Sequence, residues 1–318
     1  TLLAKRHNRL SVPRSVLSPA DQCRRQLSGS VHRTFDIEHF EHYRSRVMPE
    51  LPEVETVRRG IAPHLVGQTV VQVVVRQPRL RWPVPEALAA QLTGQTIQRV
   101  ERRAKYLLFC TDTGTAIVHL GMTGQLRILP MSAPLQKHDH VDVVLADGCC
   151  LRFNDSRRFG AVLWTSESPE RHPLLQTLGP EPFDTTYSGS YLHQRAQGRT
   201  SAVKTFIMDN HITVGVGNIY ANESLFAAGI HPLRPAGQIT LVEYERLAVA
   251  IREILSAAIQ QGGTTLRDFV GGDGAPGYFQ QSLRVYNRDS LSCTSCGDLI
   301  QRCRISQRAT YYCPRCQR

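Results

Sequence analysis

Four cysteines near the C-terminus, Cys293, Cys296, Cys313 and Cys316, constrain this chain more than any other feature, because they spell Cys-x2-Cys-x16-Cys-x2-Cys. Each Cys-x2-Cys pair can place two thiolates on one tight turn, and a hairpin between the pairs closes a tetrahedral four-sulfur site. Four protein ligands leave no position for water, so the expected occupant is one structural Zn2+ that does no chemistry itself. Two unrelated disulfides are the competing reading, and the matched spacing disfavours it. Arg302, Arg304, Arg308, Arg315 and Arg318 crowd around the pairs. A metal-stapled loop studded with arginine is suited to gripping phosphate.

Charge points the same way. The 318 residues carry a formal net charge of +11. Residues 1–47 hold nine of the Lys and Arg and four of the Asp and Glu, so the rest of the chain is basic without them. Basic surfaces bind nucleic acid by releasing its condensed counterions. On charge alone, a merely soluble basic protein fits equally well. The length suggests two domains, and no apolar run approaches the ~18 residues needed to cross a bilayer, so no membrane partner is expected. Nine cysteines, five of them outside the four-cysteine set, do not resemble a secreted disulfide framework. Reduced thiols beside a zinc site point to the cytoplasm.

Residues 1–47 are Arg- and Ser-rich, lack sustained hydrophobic periodicity and begin with Thr1. Asp21, Asp36, Glu38 and Glu41 argue against an organelle transit peptide. We read this stretch as disordered, or as sequence upstream of a true start at Met48. From Met48 the pattern is organised. Val54, Val57, Ile61 and Leu65 share one face of a helix, with Pro52 and Glu53 suited to its first turn and Gly67 ending it. Strands are expected at 69–75, 105–111, 115–120, 140–146 and 149–153, enough for a β-sandwich or barrel with flanking helices. Asp147-Gly148 predicts a type I′ hairpin turn. Residues 178–183, with Pro and Gly, read as a linker. Beyond it, Thr240 and Glu243 form a capping box ahead of a stripe of Leu247, Ile251, Leu255 and Ile259, stopped by Gly262-Gly263. Residues 271–277 form a Gly-rich loop suited to contacting a ligand.

Met48-Pro49-Glu50 is the chemically suggestive tripeptide. With the methionine removed, Pro49 presents a free secondary amine, which can form a Schiff-base-type adduct. Its adduct is an iminium whose fixed positive charge acts as an electron sink for elimination. Glu50 can act as general acid or base if burial raises its pKa. Read alone, the same tripeptide merely starts a helix.

The surrounding residues decide between these readings. The segment 49–61 (Pro-Glu-Leu-Pro-Glu-Val-Glu-Thr-Val-Arg-Arg-Gly-Ile) resembles the start of the bacterial formamidopyrimidine-DNA glycosylases, also called 8-oxoguanine DNA glycosylases. So do Arg102-Arg103-Ala104-Lys105-Tyr106, His119-Leu120-Gly121-Met122-Thr123-Gly124 and Lys137-His138-Asp139-His140. Further matches are Arg157-Arg158-Phe159-Gly160, Gly215-Val216-Gly217-Asn218-Ile219-Tyr220 and Gln307-Arg308-Ala309-Thr310. They fall in family order from Met48 to Arg318.

The resemblance implies an α+β protein, an N-terminal β-sandwich with flanking helices joined to a C-terminal helix-two-turn-helix domain with a zinc ribbon. It divides the chain into a catalytic sandwich at 48–177, a linker at 178–186, the helical domain at 187–284 and the ribbon at 285–318. The implied activity is removal of oxidised purines from double-stranded DNA, followed by β,δ-elimination at the abasic site. The implied actor is a monomer in the bacterial cytoplasm, working at the nucleoid. In this register Pro49 is the nucleophile, Glu50 the acid for sugar-ring opening, Lys105 the proton donor in β-elimination and Arg308 the arginine of δ-elimination. His138, Arg157, Arg199 and Asn218 fall at DNA-contacting positions. Met122, Arg157 and Phe159 fall at a wedge that fills the space left by a flipped nucleotide. Without the register, Met122 and Phe159 read as core, Asn218 as a helix cap, and His119 and His140 as structural histidines.

Three departures matter. While residues 1–47 remain attached, Pro49 is a tertiary amide and cannot form an imine. Ser156 replaces a proline often found before the arginine pair, and Cys303 is a spare thiol within the ribbon. The related oxidised-pyrimidine enzyme, endonuclease eight, is the nearest alternative, but its relatives carry glycine where Leu51 stands. A catalytically silent damage-binding module is the alternative of a different class.

Overall fold

The computed structural model describes residues 48–263 and 282–318. The expectations for residues 1–47 and for the Gly-rich loop at 271–277 therefore lie outside the described residues. The first element is α1 (Leu51–Leu65). The Glu53 carboxylate accepts the Glu50 backbone N–H at 2.9 Å, satisfying an amide near the start of the helix. Val54, Val57, Ile61 and Leu65 are each at most 1% exposed, so the expected stripe faces the core. Burying each such side chain contributes roughly 2 kcal/mol. Gly67 then turns the chain at φ +81°, a conformation glycine adopts without a Cβ penalty.

Two antiparallel four-stranded sheets follow. One runs β1 (Val70–Val75), β6 (Asp139–Leu145), β7 (Cys149–Asp155), β5 (Gly124–Pro130). The other runs β2 (Arg99–Arg103), β3 (Tyr106–Cys110), β4 (Thr115–His119), β8 (Ala161–Thr165). A short helix, α2 (Leu88–Leu92), covers one end of the sandwich. Period-two alternation sorts the second sheet. Leu107, Phe109 and Val118 point into the core shared with α1 and the first sheet. Leu108, Ile117 and Leu163 enter a smaller cluster on the opposite face, with Leu175 and half-buried Trp82.

The β6–β7 hairpin departs from its predicted turn. Gly148 lies at φ +82°, but Asp147 is not among the residues with positive φ. The loop spans residues 146–148, so the added residue removes the need for two successive left-handed residues. Asp147 contributes through its side chain, which accepts the Cys149 N–H at 2.8 Å.

The helical lobe comprises α3 (Gly189–Ala196), α4 (Val203–Ile207), α5 (Asn218–Ala228) and α6 (Leu241–Gln260). The capping box on α6 is formed: Thr240 Oγ1 accepts the Glu243 N–H, and the Glu243 carboxylate accepts the Thr240 N–H at 2.8 Å. Leu247, Ile251 and Leu255 are fully buried, whereas Ile259 is half-buried and Ala258 takes the inner position. A strict four-residue step drifts around a helix of 3.6 residues per turn, which accounts for the exchange. The C-terminal hairpin, β9 (Gln301–Ile305) and β10 (Arg308–Tyr312), packs Ile300 and Tyr311 against Phe226 of α5. Glu223 of α5, 2% exposed, accepts the N–H groups of Arg284, Val285 and Tyr286 and so fixes the chain entering the ribbon.

The linker is strapped to the sandwich. The Glu181 carboxylate receives the Ala104 N–H at 2.6 Å and the guanidinium groups of Arg102 and Arg103. Among the described residues, no helix is long and apolar enough to cross a membrane.

Candidate active site

The lobes meet at the start of α1. Leu51 N–H donates to Gly215 O at 3.1 Å, and the Tyr220 hydroxyl donates to Glu53 at 2.6 Å. Between these ties sits Glu50, 2% exposed. Its carboxylate accepts N–H groups from Gly217 at 2.7 Å, Ile219 at 2.9 Å and Tyr220 at 3.4 Å. It therefore occupies the positive end of α5 from across the interface. This approach requires glycine at 217, where a Cβ would lie 2.3 Å from the Glu50 carboxyl carbon.

Burial raises the Glu50 pKa from 4.5 to about 7, assisted by Glu53 and opposed by Lys105 and the α5 amides. A carboxyl near neutrality can both give and take a proton, as acid–base catalysis requires. Lys105 sits on the turn between β2 and β3, where Ala104 adopts φ +53°. Both backbone groups of Ala104 are held, its N–H by Glu181 and its carbonyl by Arg102 Nη1 at 2.9 Å. Burial pushes the Lys105 pKa below its ordinary value; Glu50 pulls it up, and Arg308 pushes it further down.

These groups line a cavity of about 420 Å3. Met48, Glu50, Lys105, Met122, Asn218 and Arg308 all contribute to its wall. Pro49 is buried in the chain between the first two. Arg308 projects from the first position of β10, beside a two-residue turn of Ser306 (φ +47°) and Gln307 (φ +62°). Neither residue favours that conformation, and strain of this kind collects at functional sites. The next carbonyl, of Ala309, is fixed by Lys204 Nζ at 2.9 Å and by Asn218 Nδ2 at 3.1 Å. Asn218 is the first residue of α5, and its buried Oδ1 accepts no hydrogen bond from the described residues.

The remaining sequence-predicted residues divide. Phe159 is 42% exposed and carries the Arg157 guanidinium 4.6 Å from its ring centroid. His138, half-buried at φ +74°, lies just before β6. Neither these three nor exposed Arg199, on the loop after α3, line the cavity. Cys293, Cys296, Cys313 and Cys316 converge, with their sulfur atoms all within 4.8 Å of one another. Zn–S bonds of about 2.3 Å in a tetrahedron separate the sulfurs by about 3.8 Å. The observed pairs, 3.8 Å for Cys293–Cys316 and 3.4 Å for Cys296–Cys313, fit a four-thiolate metal site. Cys303 stands outside this cluster, on β9 opposite Thr310.

Two further groups, one in the cavity wall and one behind the ribbon hairpin, carry no role in the sequence reading. His119 lines the cavity, and its Nδ1 accepts the Gly121 N–H at 3.0 Å, which leaves Nε2 carrying the proton of the neutral ring. Burial, with Lys105 and Arg81, lowers its pKa to about 4. Its motif was visible, but its direction was not. Lys204, 1% exposed, has its pKa lowered by burial to about 7 and donates to Ala309 and Thr310 on the ribbon. Only the tertiary fold shows that a lysine on α4 reaches β10.

Comparison with known proteins agrees with this arrangement. Residues 48–162 match the formamidopyrimidine-DNA glycosylase N-terminal domain, and residues 178–270 match the formamidopyrimidine-DNA glycosylase H2TH domain. The formamidopyrimidine-DNA glycosylase of Methylococcus capsulatus is 61% identical over 271 residues, covering 85% of this chain and all of the relative. The MutM (Fpg) protein of Thermus thermophilus superposes with a TM-score of 0.77 at 39% identity, over 85% of this chain and 98% of its own. The Lactococcus lactis Fpg, solved in complex with DNA containing an abasic site, gives 0.78 at 35% identity, over 84% and 99%. With both lobes matched and relatives aligned over their full length, this chain belongs to the formamidopyrimidine-DNA glycosylase family.

Proposed function

We propose that this chain removes oxidised purines, 8-oxoguanine and formamidopyrimidines, from double-stranded DNA and cleaves the resulting abasic site, with Pro49 as nucleophile. The observation that carries the reading is a buried carboxyl, Glu50, with a pKa near 7 beside Lys105 in the cavity wall, one residue from Pro49. A flipped deoxyribose is the substrate such a cavity suits, since a base in the stack cannot reach it.

The Pro49 nitrogen attacks C1′, the C1′–base bond breaks, and the base leaves with its electron pair and a proton. Glu50 protonates O4′ as the sugar ring opens, giving an iminium at C1′. Loss of a C2′ proton expels the 3′ phosphate, and Lys105 is the proton donor of this β-elimination. Arg308 serves the second elimination, which expels the 5′ phosphate. His138, Arg199 and Asn218 contact the DNA backbone, Asn218 through the remaining N–H of the Nδ2 amide that donates to Ala309 O. Met122, Arg157 and Phe159 fill the vacated step, as apolar and stacked side chains do at unstacked bases. The metal of the four-cysteine cluster is zinc, with a structural role, since four thiolates saturate it.

We take residues 48–177 as the catalytic sandwich, 178–186 as the linker, 187–284 as the helix-two-turn-helix domain and 285–318 as the ribbon. The enzyme works as a monomer on chromosomal DNA in the bacterial cytoplasm. Chemistry requires the Met48–Pro49 bond to be broken, because in the chain as written Met48 acylates the nucleophilic nitrogen.

The test compares two forms on a duplex carrying 8-oxoguanine opposite cytosine. Protein beginning at Pro49 should convert the strand to a one-nucleotide gap, while the form retaining residues 1–48 should not. Equal strand cleavage by both forms would refute the assignment of Pro49.

A further inference from the structure

Met122, Arg157 and Phe159 come from two separate loops, so a wedge acts as one body only if something fixes those loops together. Asp155, at the end of β7, is fully buried among polar groups. Its Oδ1 accepts the Thr123 hydroxyl at 2.5 Å and the Arg157 N–H at 3.2 Å, and its Oδ2 accepts the Gly160 N–H at 2.8 Å. One carboxylate thus joins the residue after Met122 to both ends of the Arg157–Phe159 segment. Its backbone extends the junction. Asp155 N–H donates to His138 O at 3.1 Å, and Asp155 O accepts from His140 Nε2 at 2.7 Å.

The loops also touch through their backbones. A Cβ on Gly121 would lie 2.4 Å from the Phe159 carbonyl carbon. A Cβ on Gly160 would lie 2.7 Å from His119 O. The segment includes Arg158 at φ +55°, a conformation a free loop would rarely hold.

We infer that Asp155 is the positioning residue of the wedge: through Thr123, Arg157 and Gly160 it locks Met122, Arg157 and Phe159 into one unit that enters the duplex together. This rests on the proposed glycosylase reading. Asp155 touches no substrate. It acts on the step that opens the stack, before any covalent bond changes. A carboxylate suits the place because it accepts at both oxygens; an amide would turn a donor toward one of the N–H or O–H groups it now satisfies.

The experiment uses protein beginning at Pro49, in wild-type form and as Asp155→Asn, Thr123→Val and Thr123→Ser. Stacking is read by 2-aminopurine placed beside 8-oxoguanine, whose fluorescence rises as the wedge enters. Asp155→Asn and Thr123→Val should slow that rise. They should also slow base removal from the duplex by at least about tenfold more than they slow cleavage of a single strand with a preformed abasic site, one hydrogen bond to a charged group being worth about that factor. Thr123→Ser, which keeps the hydroxyl, should restore the wild-type fluorescence rate. Equal slowing on both substrates, or an unchanged fluorescence rate in Asp155→Asn and Thr123→Val, overturns the inference. Wild-type protein that neither cleaves the abasic strand nor forms a borohydride-trapped adduct on it would instead sink the glycosylase–lyase reading, and the inference with it.

Discussion

Glu50→Gln should make the protein inactive in base removal, yet more stable relative to wild type as pH rises. Folding raises the Glu50 pKa from 4.5 to about 7, mainly because the buried carboxylate loses its water. A carboxyl with a raised folded-state pKa binds its proton more tightly when folded. Its contribution to stability is therefore complete below pH 4.5 and is lost as pH rises through about 7. At about 1.4 kcal/mol per pKa unit, ionised Glu50 costs about 3 kcal/mol of folded-state stability at pH 8. Glutamine is neutral throughout and escapes that cost, while its packing and its imperfect match to the α5 amides do not change with pH. The stability difference between variant and wild type should thus move by about 3 kcal/mol in favour of the variant between pH 4.5 and pH 8. With an unfolding entropy of about 2.1 cal/mol/K per residue, that corresponds to roughly 4–6 °C in the difference between thermal midpoints. Paired melts of both proteins across this pH range provide the assay. A difference that stays flat with pH would show that Glu50 is not desolvated in the free protein, and the acid–base role built on it would fall.

Further outcomes follow from the same geometry. Gly217→Ala places a Cβ 2.3 Å from the Glu50 carboxyl carbon and should lower base removal by about 100-fold or more, measured by single-turnover kinetics; activity within about twofold of wild type would refute the close approach. Arg308→Ala removes a cation that depresses the Lys105 pKa, so the alkaline limb of the β-elimination rate should shift to higher pH, and an unmoved or lower limb would contradict this. Elemental analysis should find one zinc per chain, and chelation should unfold the ribbon and weaken DNA binding, because metal binding and local folding are coupled. Unchanged affinity in metal-free protein would count against it.

Much of the fold was legible because its elements obey local rules. The α1 stripe, the α6 capping box and the five expected strands were legible: burial on one face gives each helix its period, and the strands are short apolar runs, most of them buried on both faces. The Asp147-Gly148 turn was placed correctly but given the wrong type, because the identity of the residues does not fix how many the loop contains. The four cysteines converge as their spacing implied. What the sequence did not disclose was relation at a distance. Nothing local indicates that the α5 amides receive Glu50, that Lys204 reaches the ribbon, that Glu181 in the linker holds the Ala104 turn, or that His119 faces the cavity. Each depends on two segments remote in sequence meeting in the assembled fold. Arg199, His138, Arg157 and Phe159 stand off the cavity wall, so their proposed roles concern the duplex around the lesion and not the reacting sugar.

The chemistry turns on one nitrogen atom, that of Pro49. Protein beginning at Pro49 is incubated with abasic-site DNA and borohydride, which reduces the iminium to a stable amine, and the digested adduct is mapped by mass spectrometry. The sugar remnant should sit on the α-nitrogen of Pro49. A remnant on the side-chain nitrogen of Lys105, or a fully active enzyme whose Pro49 nitrogen is still acylated, would contradict it.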